Sequence, residues 1–235
     1  MKVFGLQKLT LLDYPEKVAC TVFTGGCNLR CPFCHNASLV TGAEGAEQLS
    51  GAELFSYLEK RRGLLDGVCV TGGEPLLQPD LADFLRRVRA LGYCVKLDTN
   101  GSFPERLRQL VGAGLVDYVA MDVKSSPEHY ADAVGVPGFD FSAVRRSMDF
   151  LLGGPVDYEF RTTVVKGLHD GEILRGAAQS IRGAGRYFLQ KFVDSGELVD
   201  GGGLSAFSDE EMSGFLKIVS PYVESATLRG VENIH

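Results

Sequence analysis

The stretch that decides the fold and the chemistry reads Gly26-Cys27-Asn28-Leu29-Arg30-Cys31-Pro32-Phe33-Cys34-His35-Asn36. Its three thiols, of Cys27, Cys31 and Cys34, lie within eight residues, and no fourth cysteine stands nearby. Cysteine thiolates hold iron–sulfur clusters, and compact spacing brings several of them onto one cluster. A set of three suits a [4Fe-4S] cluster in which the protein binds three irons and leaves the fourth open to a ligand that is not protein.

Two other interpretations of these cysteines stay open at this point. A structural zinc ion needs four closed ligands, and the nearest candidate for the fourth is His35. His35 directly follows Cys34, however, and adjacent side chains converge poorly on one ion. Unmodified thiols are the second alternative.

The other three cysteines look structural. Cys20, Cys69 and Cys94 each lie in an apolar, strand-like run. A free cysteine in such a run behaves as a small buried hydrophobe. We therefore expect no disulfide framework, which is typical of small secreted proteins.

The bulk composition is that of an ordinary globular protein. The chain has 235 residues, of which 45% are apolar and 23% charged, and its formal net charge is −6. The longest basic run is Lys60-Arg61-Arg62, so we expect no nucleic-acid partner. The N-terminus lacks the apolar segment of a signal peptide, and no stretch approaches the roughly 20 apolar residues that span a bilayer. We expect a soluble, cytoplasmic protein without a membrane partner.

Strand-like and helical patterns alternate along the chain, which indicates βαβ units and a parallel sheet. The predicted strands lie near 18–24, 67–71, 93–98, 117–122, 157–165 and 186–192. The predicted helices lie near 51–62, 79–90, 104–112, 140–152, 171–182 and 208–219. Ser50 and Ser208 carry the signals of helix N-termini.

Polar motifs follow the strands, at the edge where parallel α/β folds build their sites. They are Thr24-Gly25-Gly26, Thr71-Gly72-Gly73-Glu74, Asp98-Thr99-Asn100-Gly101 and Asp122-Val123-Lys124. A barrel would gather these edges around one mouth. We therefore predict a partial (β/α)6 TIM-like barrel, with a short N-terminal β extension over residues 6–14. The chain is interpreted as one domain, 1–235, divided into an extension (1–17), a barrel core (18–192) and a C-terminal segment (193–235).

These motifs resemble those of the radical S-adenosylmethionine (SAM) superfamily. The C-x-x-x-C-x-x-C loop follows the first predicted barrel strand and has an aromatic residue, Phe33, before its third cysteine. Gly72-Gly73-Glu74-Pro75 is similar to the superfamily's Gly-Gly-Glu motif. Within the superfamily, the glycyl-radical-enzyme activases are the most similar group. Their patterns resemble Cys34-His35-Asn36, Leu97-Asp98-Thr99-Asn100-Gly101 and Met121-Asp122-Val123-Lys124. The opening Gly5-Leu6-Gln7-Lys8-Leu9-Thr10-Leu11-Leu12-Asp13-Tyr14-Pro15 resembles that of the longer type of anaerobic ribonucleoside-triphosphate reductase activating protein.

The resemblance implies a cofactor site. Cys27, Cys31 and Cys34 would bind one [4Fe-4S] cluster, since residues 35–68 hold no cysteine for a second. SAM would chelate the open iron, with Glu74 accepting from its ammonium group and Lys124 reaching its ribose or carboxylate. The implied cofactor-binding residues are Phe33, His35, Gly72, Gly73, Glu74, Asp98, Thr99, Asn100, Asp122, Lys124 and Arg161.

Two further details of this site follow from the resemblance. Asp98, Thr99 and Asp122 would help to hold a monovalent cation beside the cofactor. The family's late-barrel histidine, which contacts adenine, has no counterpart here, because Leu189-Gln190-Lys191-Phe192 occupies that region. The remaining histidines, His129, His169 and His235, are interpreted as surface or loop residues.

The implied function is that of a radical initiator. Reductive cleavage of SAM would give a 5′-deoxyadenosyl radical, which would generate a glycyl radical on a partner enzyme. That partner would be an anaerobic ribonucleotide reductase, with a flavodoxin-like electron donor. The alternatives are an activase of a pyruvate formate-lyase-like enzyme, a radical SAM enzyme acting on a small molecule, and a non-catalytic iron–sulfur or zinc module.

Overall fold

Eight strands form one open sheet whose spatial order is the order of the chain. The computed structural model describes residues 1–41, 48–194, 196 and 198–231. The strands are β1 (Val3–Thr10), β2 (Ala19–Thr24), β3 (Gly67–Gly72), β4 (Cys94–Thr99), β5 (Tyr118–Asp122), β6 (Asp157–Val164), β7 (Tyr187–Lys191) and β8 (Ala226–Arg229). Within the described residues, β1 and β8 are the two edges, so the sheet is a partial barrel rather than a closed one.

The sheet is parallel except at its first pair. β1 runs antiparallel to β2, and every later neighbour, from β2 to β8, is parallel. β2 and β3 are buried along most of their length. Such near-continuous apolar runs are typical of parallel strands covered on both faces.

Helices follow the strands and bury one apolar stripe each. They are α1 (Ala37–Thr41), α2 (Gly51–Lys60), α3 (Leu81–Ala90), α4 (Pro104–Gly112), α5 (Tyr130–Val134), α6 (Phe141–Leu152), α7 (Gly171–Ser180) and α8 (Asp209–Val219). Ser50 and Ser208 both form complete capping boxes, with Glu53 and Glu211 respectively. These caps satisfy backbone donors that a helix start leaves unpaired.

The sequence predictions of fold class, six barrel strands and six long helices are confirmed. The N-terminal extension is a strand, but it spans Val3–Thr10 rather than 6–14, because its pairing with β2 ends at Thr10. Three elements were missed, namely β8 and the short helices α1 and α5. β8 has four residues and only its pairing with β7 makes it a strand, so the sheet extends into the predicted C-terminal segment.

The parallel strands end at a common rim, which we call the mouth. The cysteine loop follows β2, the Gly-Gly-Glu segment follows β3, and the Asp-Thr-Asn segment lies at the end of β4. Asp122, the last residue of β5, reaches the same rim. In the described part of the chain, no helix has the length and apolar character needed to cross a bilayer.

Candidate active site

A cavity of about 320 Å³ opens at the mouth. Its wall contains every predicted site residue except Glu74: Cys27, Cys31, Phe33, Cys34, His35, Gly72, Gly73, Asp98, Thr99, Asn100, Asp122, Lys124 and Arg161. Seven residues that were not predicted as site residues complete the wall: Leu29, Asn36, Val40, Thr71, Thr163, Gln190 and Lys191. The tertiary structure therefore brings together side chains that lie up to 164 positions apart, from Cys27 to Lys191.

The cysteine loop is held by its own arginine and by α5. Nη1 of Arg30 donates to the carbonyl oxygens of Cys27 at 2.7 Å and Leu29 at 2.8 Å. The backbone N–H of Arg30 donates to the carbonyl of Val134 at 2.9 Å. Gly135 has a φ of 63°, and a Cβ there would lie 2.2 Å from the Arg30 carbonyl oxygen. Glycine is needed at this position because the loop backbone approaches so closely.

The two glycines at the carboxyl end of β3, Gly72 and Gly73, are required by the close approach of the end of β2 and the cysteine loop. A Cβ on Gly73 would lie 2.0 Å from the carbonyl oxygen of Gly26, and one on Gly72 would lie 2.3 Å from the backbone of Thr24. Gly72 also has a φ of 119°, which L side chains rarely adopt. The resemblance to the superfamily is one reason for these glycines, since it assigns both to the cofactor site. Their tight packing against the start of the cysteine loop is a second reason, visible only in the tertiary structure.

Glu74 lies behind the cavity wall rather than in it, and its predicted contact with an ammonium group stays a prediction. Its side chain is fully buried. Oε1 accepts from the Leu76 N–H at 3.0 Å and the Thr99 hydroxyl at 2.8 Å, while Oε2 accepts from the Asn100 N–H at 2.7 Å. Burial raises the pKa of Glu74 to about 7. Glu74 therefore joins the β3 edge to the β4 edge.

Asp98 and Asp122 share Arg161 as a partner. Nη1 of Arg161 lies 3.2 Å from Oδ2 of Asp98, and Nε lies 3.1 Å from Oδ1 of Asp122. Lys124 pairs with the other oxygen of Asp122 at 2.9 Å, and Lys96 pairs with Asp98. Burial opposes ionisation of Asp122, but Lys124 and Arg161 outweigh it and hold its pKa at about 2. Arg161 thus faces the cavity, as expected.

These ion pairs bear on the predicted monovalent cation. Each oxygen of Asp98 and of Asp122 already has a cationic protein partner. The Thr99 hydroxyl donates to Glu74 and accepts from the Gly101 N–H at 3.1 Å. The protein's own cations thus already pair with the two carboxylates of the predicted cation site, and the monovalent cation itself stays a prediction.

A second row of charges lies deeper in the barrel and was missed. Lys96 is almost fully buried, and Glu159 on β6 is 1% exposed. Glu159 accepts two hydrogen bonds from Arg229, at 2.8 and 3.0 Å, and one from the Tyr118 hydroxyl at 3.0 Å. Alternate residues of a strand face the same side. Lys96 precedes Asp98 by two positions and Glu159 precedes Arg161 by two, so this spacing could have revealed both.

His169 lies in a loop, as expected, but it is buried and supports the site rather than lying at the surface. Its Nδ1 accepts from the Val165 N–H at 2.9 Å, so the ring proton lies on Nε2, which donates to the Lys124 carbonyl at 2.9 Å. Burial lowers its pKa. The ring also meets the buried Phe33 ring edge-on, with centroids 6.4 Å apart. His129 is exposed, as expected, and His235 lies outside the described residues.

His35 and β7 form the remaining wall. His35 is exposed, and its ring lies 5.6 Å from that of Phe192. Gln190 and Lys191 both line the cavity. They belong to the segment that occupies the region of the family's adenine-contacting histidine. Nζ of Lys191 lies 2.5 Å from a carboxylate oxygen of Asp209 at the start of α8.

The donor set fits an iron–sulfur cluster. All three thiols of the loop lie in one cavity wall. Among the described residues, no three His, Cys, Asp or Glu side chains are arranged to hold a single metal ion. A cluster makes a different demand, because each thiolate binds its own iron and the thiols need only surround a common space. Burial raises the pKa of Cys31 to about 11, so iron must displace the thiol proton when it binds.

Comparisons with known proteins agree with this donor set. The family model described as "Radical SAM superfamily" matches residues 21–176. A "Putative glycyl-radical enzyme activating enzyme" of Methanocaldococcus jannaschii is 32% identical over 194 residues, covering 81% of this chain and 79% of that protein. The pyruvate formate-lyase-activating enzyme of Listeria monocytogenes is 33% identical over 141 residues, covering 55% of this chain and 56% of its own length.

A solved structure shows the same fold. The crystal structure of a domain of pyruvate-formate lyase-activating enzyme from Bacteroides vulgatus aligns with a TM-score of 0.56 at 21% identity, covering 70% of this chain and 99% of that one. The family match decides among the zinc, free-thiol and cluster interpretations in favour of the cluster. The chain belongs to the radical SAM superfamily and is an enzyme that uses a [4Fe-4S] cluster and S-adenosylmethionine.

Proposed function

We propose that this enzyme generates a glycyl radical on a partner protein, and that the partner is an anaerobic ribonucleotide reductase. The observation that carries the activase assignment is the cavity that joins the three cysteines to the Gly-Gly, Asp-Thr-Asn and Asp-Lys segments. The M. jannaschii relative, named for glycyl-radical enzyme activation, supports the same class. The opening residues 5–15, which resemble the reductase activating proteins, support the choice of partner.

The proposed roles of the residues follow from their positions. Cys27, Cys31 and Cys34 hold three irons, and the cluster with SAM supplies one-electron cleavage of a carbon–sulfur bond and hydrogen-atom abstraction. Buried Phe33 and Leu29 screen the cavity from water. The predicted cofactor-binding residues of the wall bind and orient SAM: His35, Gly72, Gly73, Asp98, Thr99, Asn100, Asp122, Lys124 and Arg161.

The fixed charges of the wall suit a charged cofactor. Lys124 is 16% exposed in its side chain and keeps its cationic group beside Asp122 at 2.9 Å. Because these charges are already paired and held on strands, binding requires little reorganisation of the wall. A flavodoxin-like protein in the reducing cytoplasm is the electron donor that we propose.

The test is an anaerobic assay with the reconstituted holoenzyme, SAM and a reductant. Mixed with an anaerobic ribonucleotide reductase, the enzyme is expected to produce 5′-deoxyadenosine and a glycyl-radical EPR doublet on the reductase. A parallel arm contains a pyruvate formate-lyase-like enzyme. A doublet in that arm alone would contradict the choice of partner, and 5′-deoxyadenosine with no doublet in either arm would contradict the activase function.

Cys31→Ala is the matched negative control for this assay. It removes one of the three thiols and is expected to abolish the visible absorbance of the cluster and all 5′-deoxyadenosine formation. Cys94→Ala is the positive control, because Cys94 lies outside the cavity wall and should leave both signals in place. Cleavage of SAM by the Cys31→Ala variant would overturn the assignment of the iron ligands.

A further inference from the structure

The sulfur of Cys27 receives a hydrogen bond from another strand edge. Nδ2 of Asn100 lies 3.8 Å from Sγ of Cys27, within hydrogen-bonding distance for sulfur. The backbone N–H of Leu29 also donates to this sulfur, at 3.4 Å. Cys27 thus has a local donor from its own loop and a side-chain donor from the residue that follows β4.

The orientation of the Asn100 amide is fixed by its neighbours. Its Oδ1 accepts from the backbone N–H of Ser102 at 3.0 Å and from the Ser102 hydroxyl at 2.5 Å. A flipped amide would set its NH₂ group against the Ser102 N–H, two donors facing each other. Nδ2 of Asn100 donates its second hydrogen to Oδ1 of Asn28, at an N···O distance of 3.1 Å. Only the observed orientation satisfies all of these groups, and it aims an N–H at Cys27.

The backbone of Asn100 is also held in place. Its N–H donates to Glu74 at 2.7 Å, and the side chain is 6% exposed. Asn28 closes the network from the other side, since its Nδ2 donates to the Ser102 hydroxyl at 2.9 Å. The donor to Cys27 is therefore part of a hydrogen-bonded triangle formed by Asn28, Asn100 and Ser102.

We infer that Asn100 tunes the cluster by donating a hydrogen bond to the thiolate of Cys27, and that this bond raises the reduction potential of the cluster. Hydrogen bonds to the sulfurs are among the features that set iron–sulfur potentials. Reduction adds negative charge to the cluster and its ligands, and an N–H donor binds a more negatively charged acceptor more strongly. This inference rests on the cluster and does not depend on the identity of the glycyl-radical partner.

The experiment is an EPR-monitored redox titration of the reconstituted full-length protein without SAM. In Asn100→Ala, the ratio of reduced to oxidised cluster at a fixed potential is expected to fall about five- to tenfold, because the lost hydrogen bond stabilises the reduced cluster more than the oxidised one. In Asn100→Asp, the ratio of reduced to oxidised cluster is expected to fall further, because a carboxylate would face the thiolate. Iron and sulfide content per chain is expected to match the wild type.

Ser147→Ala is the matched control. The buried Ser147 hydroxyl donates to the Gly101 carbonyl at 2.6 Å and so supports the same loop without touching a ligand sulfur. Its melting temperature is expected to fall while its midpoint potential stays that of the wild type. Unshifted potentials in both fully loaded Asn100 variants, or an equal shift in Ser147→Ala, would overturn the inference.

A second measurement covers the case in which the Asn100 variants fail to bind the cluster. Wild-type protein labelled with ¹⁵N in the asparagine side-chain amides is reduced, and nitrogen couplings to the cluster are recorded by ENDOR. A ¹⁵N coupling is expected, because the amide nitrogen of Asn100 lies within hydrogen-bonding distance of a ligand sulfur. Absence of that coupling in a fully loaded sample would contradict the proposed bond.

Discussion

Two regions of the mouth are built in different ways. The first, the cluster edge, consists of the loops after β2, β3 and β4, and it is joined by close backbone approaches and by the hydrogen bonds of Glu74 and Asn100. The second, the charged interior, consists of the inward-facing charges of β4 to β8 and is joined by ion pairs. The structure of the cluster edge therefore depends on close packing of its backbone, and that of the charged interior depends on the balance of its charges. Substitutions in one region should leave the properties of the other unchanged.

The largest effect is expected from Arg161→Met, which breaks the charged interior. Arg161 links Asp98 and Asp122 and has a side chain only 15% exposed. Removing one partner of a buried ion pair costs about 3–5 kcal/mol, and a loss at the lower end is expected because Asp98 still pairs with Lys96 and Asp122 with Lys124. The free energy of unfolding of the reconstituted protein in urea measures this loss.

The cluster content of Arg161→Met is expected to stay near that of the wild type, because the ion-pair partners of Arg161, Asp98 and Asp122, lie outside the cysteine loop. Arg146→Met is the control, because Arg146 makes an exposed pair with Glu105 at 3.7 Å. Loss of such a surface pair costs under about 1 kcal/mol. A variant that lost the cluster yet kept its stability would contradict the separation of the two regions.

A pH effect is expected from Glu74, which holds the cluster edge together. Burial raises its pKa from 4.5 to about 7 in the folded protein. The folded state therefore binds the proton more tightly than the unfolded state does. Its contribution to stability is fully present below about pH 4.5 and is lost as the pH rises through about 7, a change on the order of 3 kcal/mol.

Urea unfolding between pH 5.5 and pH 8 tests this sign. The difference between wild type and Glu74→Gln is expected to change across that window, because glutamine does not titrate while the other groups are common to both proteins. A constant difference would show that Glu74 has the same pKa in the folded and unfolded states.

A smaller loss of stability is expected from Gly73→Ala, which tests the shape of the cluster edge. The added Cβ would lie 2.0 Å from the carbonyl oxygen of Gly26, so the cysteine loop has to shift. Overpacking of this kind costs about 1–3 kcal/mol. The iron content per chain is expected to fall as well, because the displaced loop carries the proposed iron ligands.

The matched control for Gly73→Ala is Gly112→Ala. Gly112 lies at the end of α4, and a Cβ there meets no heavy atom within 4 Å. Its stability is expected to change by less than about 1 kcal/mol. Equal iron contents in Gly73→Ala and wild type would refute the proposed dependence on shape.

The smallest effect is expected far from both regions. Leu12, at the end of the barrel opposite the mouth, is 89% exposed. Leu12→Ser should change the free energy of unfolding by less than about 0.5 kcal/mol and leave the iron content unaltered. A larger change would indicate that the base of the barrel is coupled to the mouth.

The cluster edge could be predicted from local sequence to a large extent. The cysteine spacing, the Gly-Gly-Glu segment and the Asp-Thr-Asn segment each lie within a few residues, and each follows a strand with a clear apolar pattern. The charged interior could be predicted only in part. Asp98, Asp122 and Arg161 were expected at the site, and the pair of Lys96 with Asp98 lies within β4, but Glu159 and Arg229 become partners only through the placement of β6 and β8 in the sheet.

The roles of two residues could not be inferred from their neighbours in the chain. Glu74 is surrounded by site residues in the sequence, yet its carboxylate turns away from the cavity to bind Thr99 and Asn100. His169 lies in an irregular segment after β6, yet it is buried against Lys124 and Phe33. Both cases depend on contacts between segments that are 25 or more positions apart.

The sequence by itself determined the proposed iron ligands, the alternation of strands and helices, and the superfamily, because each depends on spacing within a short segment. The tertiary structure decided which side chains face the cavity, which carboxylates are already paired, and which glycines the cysteine loop requires. The physical reason is that ligand spacing and hydrophobic periodicity are local properties, whereas charge pairing and close backbone approach are set by the register of a sheet whose strands come from distant parts of the chain.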